Sequence, residues 1–178
     1  MVGLLWAAAM LLGFAGVGKT LRPLASAVAL RAASIPGSSV LASLPIVRVG
    51  GLLEVIVAAS VLLWGGSIAA ALLSASYLLL TLTAWRMLVV TPGNDCGCFG
   101  SSTEPINQLH LVVNSGYVLV GAAAVYWPQP GVLTQLTTQG AEGVAVVVLA
   151  GVLAWLSYLL MTELPALLAL RAKVAASK

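Results

Sequence analysis

The chain has 178 residues, of which 61% are apolar and only 7% carry charge. Soluble domains carry about 25% charged residues, so no globular surface can be assembled from these, and a mean hydropathy of +1.08 points to an integral membrane protein. The formal net charge of +3 says nothing of nucleic acid in such a chain; where its basic residues fall matters more than their sum.

A helix needs about 20 apolar residues to cross a hydrocarbon core. The first such stretch runs from about Val2 to Gly18. It has no Lys or Arg in an n-region and no convincing Ala-x-Ala site, so a retained helix is expected rather than a signal peptide. It ends in Gly13-Phe-Ala-Gly-Val-Gly18-Lys19-Thr20, which matches the letters of the phosphate-binding loop G-x-x-x-x-G-K-[ST]. That loop needs a preceding strand, a following helix and an aqueous pocket. At the end of a span the glycines are expected to allow close helix packing, and no nucleotide is expected.

A connector from Lys19 to Arg48 follows, with Pro23, Pro36 and Pro45. Residues 22–33 place Arg22 and Arg31 among Ala, Val and Leu. That pattern suits an interfacial helix whose arginines snorkel into head groups, with a partial re-entrant helix as the alternative. The second span runs from about Val49 to Trp64 and the third from Ser67 to Val90, joined by Trp64-Gly65-Gly66-Ser67 as a tight hairpin. A fourth covers Leu109 to Trp127, and a fifth Gly143 to Met161. The fold class is therefore an all-α polytopic membrane bundle. Residues 1–127 form a four-helix domain, and 128–178 a loop, a fifth transmembrane helix and a basic tail.

If five helices alternate, Lys19, Arg22, Arg31, Arg48, Arg86, Arg171, Lys173 and Lys178 all fall on one side. The positive-inside rule then predicts an outside N-terminus and a cytoplasmic C-terminus. It also puts the turn Asp95-Cys96-Gly97-Cys98-Phe99-Gly100 at the cytoplasmic face. A redox pair serving extracytoplasmic folding is expected on the other side, where disulfides persist.

That turn holds the only two cysteines. Their spacing allows a disulfide if the Cα atoms come within about 7 Å, and Gly97 permits the backbone angles a small ring needs. Strained, exposed disulfides are the labile and catalytic ones. Arg86 or the start of the fourth helix is placed to lower a thiol pKa, with Asp95 opposing. A structural disulfide is the plain alternative. Metal binding is not expected, because a closed zinc site takes four ligands and only Cys96, Cys98 and His110 are at hand.

The other polar residues fall at the same face in an alternating bundle. Lys19, Glu54, Arg86, His110 and Asn114 are expected to form a polar vestibule beneath an exposed cysteine turn. Glu54, read as one turn into its helix, needs a partner, since intramembrane acids normally pair; Lys19 and Arg86 are both available. The pair is either a structural clamp or a proton relay. His110 is either a helix-start cap or a proton acceptor for a thiol, and Asn114 is expected to hydrogen-bond another helix.

An acid early in the second span and Cys-Gly-Cys-Phe-Gly after the third resemble the MauE family, within the wider DoxX-like group of four-helix membrane proteins. The matching positions are Lys19, Glu54 in Gly51-Leu52-Leu53-Glu54, Cys96 to Gly100, and Asn114, across roughly residues 1–127. The resemblance implies a redox-associated protein, and the wealth of Ala, Val, Leu and Gly with three lysines in all suits a high-GC bacterium and hence its inner membrane. Cys96 and Cys98 would exchange thiol and disulfide with a thioredoxin-like partner, in the setting of methylamine utilisation. There is no second cysteine pair, so electrons pass directly to partner thiols or through a bound quinone. The alternative is a non-catalytic accessory subunit of a larger complex, such as a lipid or solute transporter, with the pair as a staple. A vestibule that carries a small molecule or lipid is the third reading.

Overall fold

The computed structural model of the chain describes residues 1–34, 37–93, 96–100 and 106–176, with 165, 166 and 168–176 described by backbone only. Pro36, Asp95 and Lys178 lie outside the described residues. The elements are α1 (Val2–Leu21), α2 (Pro23–Ala32), α3 (Ser38–Leu41), α4 (Leu44–Leu63), α5 (Gly66–Val90), α6 (Gln108–Tyr126), α7 (Val132–Gln139) and α8 (Ala141–Ala176). Among the described residues α1, α4, α5, α6 and the first part of α8 are long and apolar enough to span a membrane. The expected all-α polytopic bundle is what forms.

Helix α1 is the most enclosed of the five. Its run Leu5 to Ala9 is buried on every side, and Leu11, Leu12 and Ala15 continue the core. A helix apolar all round belongs at the centre of a bundle. It packs chiefly on α4 and α8, while α5 and α6 pair with each other. Tyr77 of α5 ties the two halves by donating its hydroxyl to the Ala8 carbonyl at 2.7 Å. Large apolar side chains such as Leu79, Leu119 and Val148 point outward, as a lipid-facing surface requires.

Small residues set how closely the helices approach. A Cβ at Gly16 would stand 2.5 Å from the Gly51 carbonyl oxygen, and one at Gly51 would stand 2.7 Å from that of Gly16. Gly13 faces Ala58, so the glycines of the phosphate-loop lookalike serve packing, as expected. The hairpin between α4 and α5 also forms as expected. Gly65 and Gly66 adopt positive φ values of 69° and 84°, and the Gly66 amide bonds the Gln129 carbonyl at 3.0 Å.

Several boundaries differ from the sequence reading. Helix α4 starts at Leu44, with Pro45 in its first turn, where a missing N–H costs nothing. Glu54 therefore lies nearly three turns into its helix, about 15 Å along the axis, rather than one turn. Part of the expected loop after Tyr126 folds as α7, and α8 continues well past Met161. Helix α2 has ten residues, too few to cross, and buries Pro23, Ser26, Ala27 and Ala29 against the bundle. The basic positions of α1, α2, α4 and α5 gather at the end that carries the cysteine turn, and the C-terminal part of α8 leaves from that end.

The α1–α4 crossing generates a paired prediction. Gly51→Ala places a methyl group against backbone, and such overpacking costs about 1–3 kcal/mol. Gly50→Ala meets nothing within 4 Å and should be neutral or stabilising by up to about 1 kcal/mol. Thermal unfolding in detergent measures both, and equal effects would refute the close crossing.

Candidate functional site: a buried cysteine turn over a small cleft

The cysteine turn is docked by backbone contact. Gly97 and Gly100 have positive φ values of 61° and 76°. A Cβ on Gly97 would lie 2.7 Å from the Ala25 carbonyl, and one on Gly100 would lie 2.5 Å from the Gly18 oxygen. Both positions thus need glycine for conformation and for room. Ser26 on α2 fastens the turn by donating its hydroxyl to the Gly97 carbonyl at 2.5 Å.

Cys96 and Cys98 form a disulfide with Cα atoms 5.2 Å apart. The expectation of an exposed turn is corrected: Cys96 is only 4% exposed and Cys98 is half-buried. The reason is the docking just described, which presses the turn onto α1 and α2. Phe99 then inserts beside Phe14 and Tyr158, with ring centroids 6.0 Å and 5.1 Å away. Tyr158 belongs to α8, so the fifth span helps to seat the turn.

Beneath lies a cleft of about 20 Å³, room for about one water; its walls are mostly apolar, with Leu11, Leu12, Leu80, Phe99 and Met161 among them, and Lys19, Tyr77, Cys98 and Asn114 at its edge. Lys19 and Glu54 form an ion pair across the α1–α4 crossing, Nζ to Oε1 at 2.5 Å, with side chains 12% and 15% exposed. The second carboxylate oxygen of Glu54 is buried and has no partner among the described residues. Of the two cations weighed for Glu54, Lys19 is the one used.

Arg86 does not join the group. It is exposed and makes no ion pair among the described residues. It shares the outward face of α5 with Leu82, Trp85 and Val89, all exposed. Its chain position set its depth, but the azimuth of the helix turned it away.

His110 and Asn114 lie one turn apart on α6, hence on one face, and both are buried. Asn114 faces the cleft and forms no interhelical hydrogen bond among the described residues. The helix cap is Asn107, whose side chain accepts from the Leu109 amide at 2.9 Å, so His110 is not the cap. His110 is 0% exposed, and its ring comes within 4.8 Å of both cysteine sulfurs. Among the described residues neither ring nitrogen has a partner in good hydrogen-bond geometry, although the Asn107 carbonyl lies close enough to act on the ring.

The sequence reading missed Ser26, Phe14, Tyr77 and Tyr158. Ser26, a hydroxyl among the small residues of α2, carried a faint signal; the aromatics carried none, because their roles depend on how distant helices meet.

A disulfide-bearing turn over a small cleft, inside a bundle of membrane-length helices, defines a polytopic membrane protein with a cysteine pair. The family model described as methylamine utilisation protein MauE matches residues 1–128. The chain belongs to the MauE family. No curated protein and no solved structure matches the chain significantly.

The ion pair yields the prediction of this section. Removing one partner of a buried pair strands the other charge and costs about 3 kcal/mol. Lys19→Met and Glu54→Gln should each lower unfolding stability in detergent by about that much, and the double variant by less than either. Additive losses in that cycle would show that the two residues are uncoupled.

Proposed function

We propose that the chain exchanges thiol and disulfide equivalents with a partner protein through Cys96 and Cys98. The observation that carries this reading is the asymmetry of the pair: Cys98 lines the cleft while Cys96 is buried behind it. In the exchange, a partner thiol loses its proton and attacks Cys98. The Cys96–Cys98 bond breaks, Cys96 leaves as thiolate, and a mixed disulfide joins Cys98 to the partner. The partner's second thiol attacks that bond, releasing Cys98. The partner dithiol becomes a disulfide, and the pair becomes two thiols. His110, within reach of both sulfurs, is placed to hold the proton between the incoming and leaving groups. A thioredoxin-like dithiol protein suits this chemistry.

We place the turn at the cytoplasmic end of the molecule in a bacterial inner membrane. The support is the gathering of Lys19, Arg22, Arg31, Arg48 and Arg86 at that end. Recycling of the pair, two thiols after the exchange, requires a disulfide or a quinone on the same side to take up two electrons and two protons.

Trapping tests the exchange. Cys96→Ser removes the resolving thiol, so Cys98 should accumulate a covalent adduct that reductant releases on a non-reducing gel. Cys98→Ser should trap far less. The same cells, treated intact with a membrane-impermeant maleimide after reduction, should leave wild-type thiols unlabelled. No adduct with Cys96→Ser, together with a pair that is always oxidised, would make the disulfide a staple of an accessory subunit. Labelling from outside would reverse the orientation.

A further inference from the structure

Three donor atoms of the kind thiophilic metals prefer converge at the base of the turn. The sulfurs of Cys96 and Cys98 and a ring nitrogen of His110 all lie within 4.8 Å of one another. The imidazole is 0% exposed and a ring nitrogen is aimed into this group. Among the described residues the ring's other polar neighbour is the Asn107 carbonyl, and a carbonyl can take only one of the two nitrogens as its donor.

We infer that reduction of the disulfide turns Cys96, Cys98 and His110 into a zinc site. The inference rests on the same reducible pair as the exchange reading, though on no protein partner. Donors around one tetrahedral zinc stand about 3.5–3.8 Å apart, given Zn–S and Zn–N bonds of about 2.3 and 2.0–2.1 Å. Small side-chain adjustments therefore suffice once the sulfurs separate.

Charge and space favour zinc over copper(I). Two thiolates and a neutral imidazole around Zn²⁺ carry no net charge, whereas copper(I) would leave an uncompensated negative charge in a buried place. Three protein donors also leave one position open, the pattern of Cys₂His zinc sites that keep a water. Cys98 borders the cleft with room for about one water. The objection that only three ligands are at hand is met by that water.

The chemistry balances. A dithiol reductant gives two electrons and two protons to the pair and leaves as its own disulfide. Zinc then displaces the two thiol protons. Disulfide and zinc exclude each other on the same sulfurs, so bound zinc would hold the pair reduced and silence exchange.

The test uses the full chain in detergent, reduced with a phosphine, desalted under argon and titrated with zinc chloride against a chromophoric chelator. The reduced chain should bind zinc stoichiometrically, and the untreated oxidised chain should not. Cobalt(II) in place of zinc should show thiolate-to-metal charge transfer. His110→Asn and Cys98→Ser should each weaken zinc binding by about 100-fold or more, since loss of even an outer-shell partner costs 10–100-fold. Should His110→Asn fail to fold by circular dichroism, Cys98→Ser and the oxidised wild type carry the comparison. Equal zinc binding by reduced and oxidised chains, or wild-type affinity in Cys98→Ser, would overturn the inference. A reduced chain that traps a partner adduct yet binds no zinc overturns this inference alone; zinc binding with no adduct overturns only the exchange.

Discussion

The polar end of this molecule depends on how closely α1 lets other backbones approach. Gly16 admits the carbonyl of Gly51, and Gly18 admits the carbonyl of Phe99. The first contact draws α4 in until Lys19 and Glu54 meet. The second seats the cysteine turn on the last turn of the same helix. A side chain at either position would push apart groups that must lie side by side. In a membrane, where lipid is as apolar as leucine, such close packing supplies much of the force between helices.

Seating the turn changes the chemistry of its disulfide. An exposed pair would be open to any soluble thiol. Here Cys96 is covered and, of the two sulfurs, only that of Cys98 borders the cleft, so in the proposed exchange a partner thiol would meet Cys98 first. Among the described residues near the turn, Lys19 answers Glu54 and Arg86 faces outward. His110 is a buried imidazole within reach of both sulfurs, with the Asn107 carbonyl beside its ring. The proposed exchange and the proposed zinc site would both draw on that imidazole, in different states of the same two sulfurs. The fifth span takes part as well, since Tyr158 and Met161 close the site from α8.

Much of this was legible in the chain. A carboxylate inside an apolar span has to find a cation, and Glu54 found Lys19. Glycines flanking two cysteines forecast a tight turn, and Gly97 and Gly100 make it. The spans were readable because about 20 apolar residues have few other uses. What could not be read was direction around a helix axis. Arg86 has the right depth and the wrong face, because α5 is apolar all round and offers no stripe to orient it. The start of α4 was hidden by Pro45, which reads as a breaker but serves as a first-turn residue. The burial of the turn was hidden too, since it arises from backbone contacts with Gly18 and Ala25 that no side-chain pattern encodes.

The central claim is that the Cys96–Cys98 bond opens and closes within the folded protein. The direct measurement equilibrates the purified chain with graded dithiol and disulfide buffers, counts free thiols by maleimide mass shift, and follows helicity in parallel. The account predicts a reversible passage of both sulfurs between closed and open forms while the helices persist. A bond that stays closed until the helices unfold would contradict it.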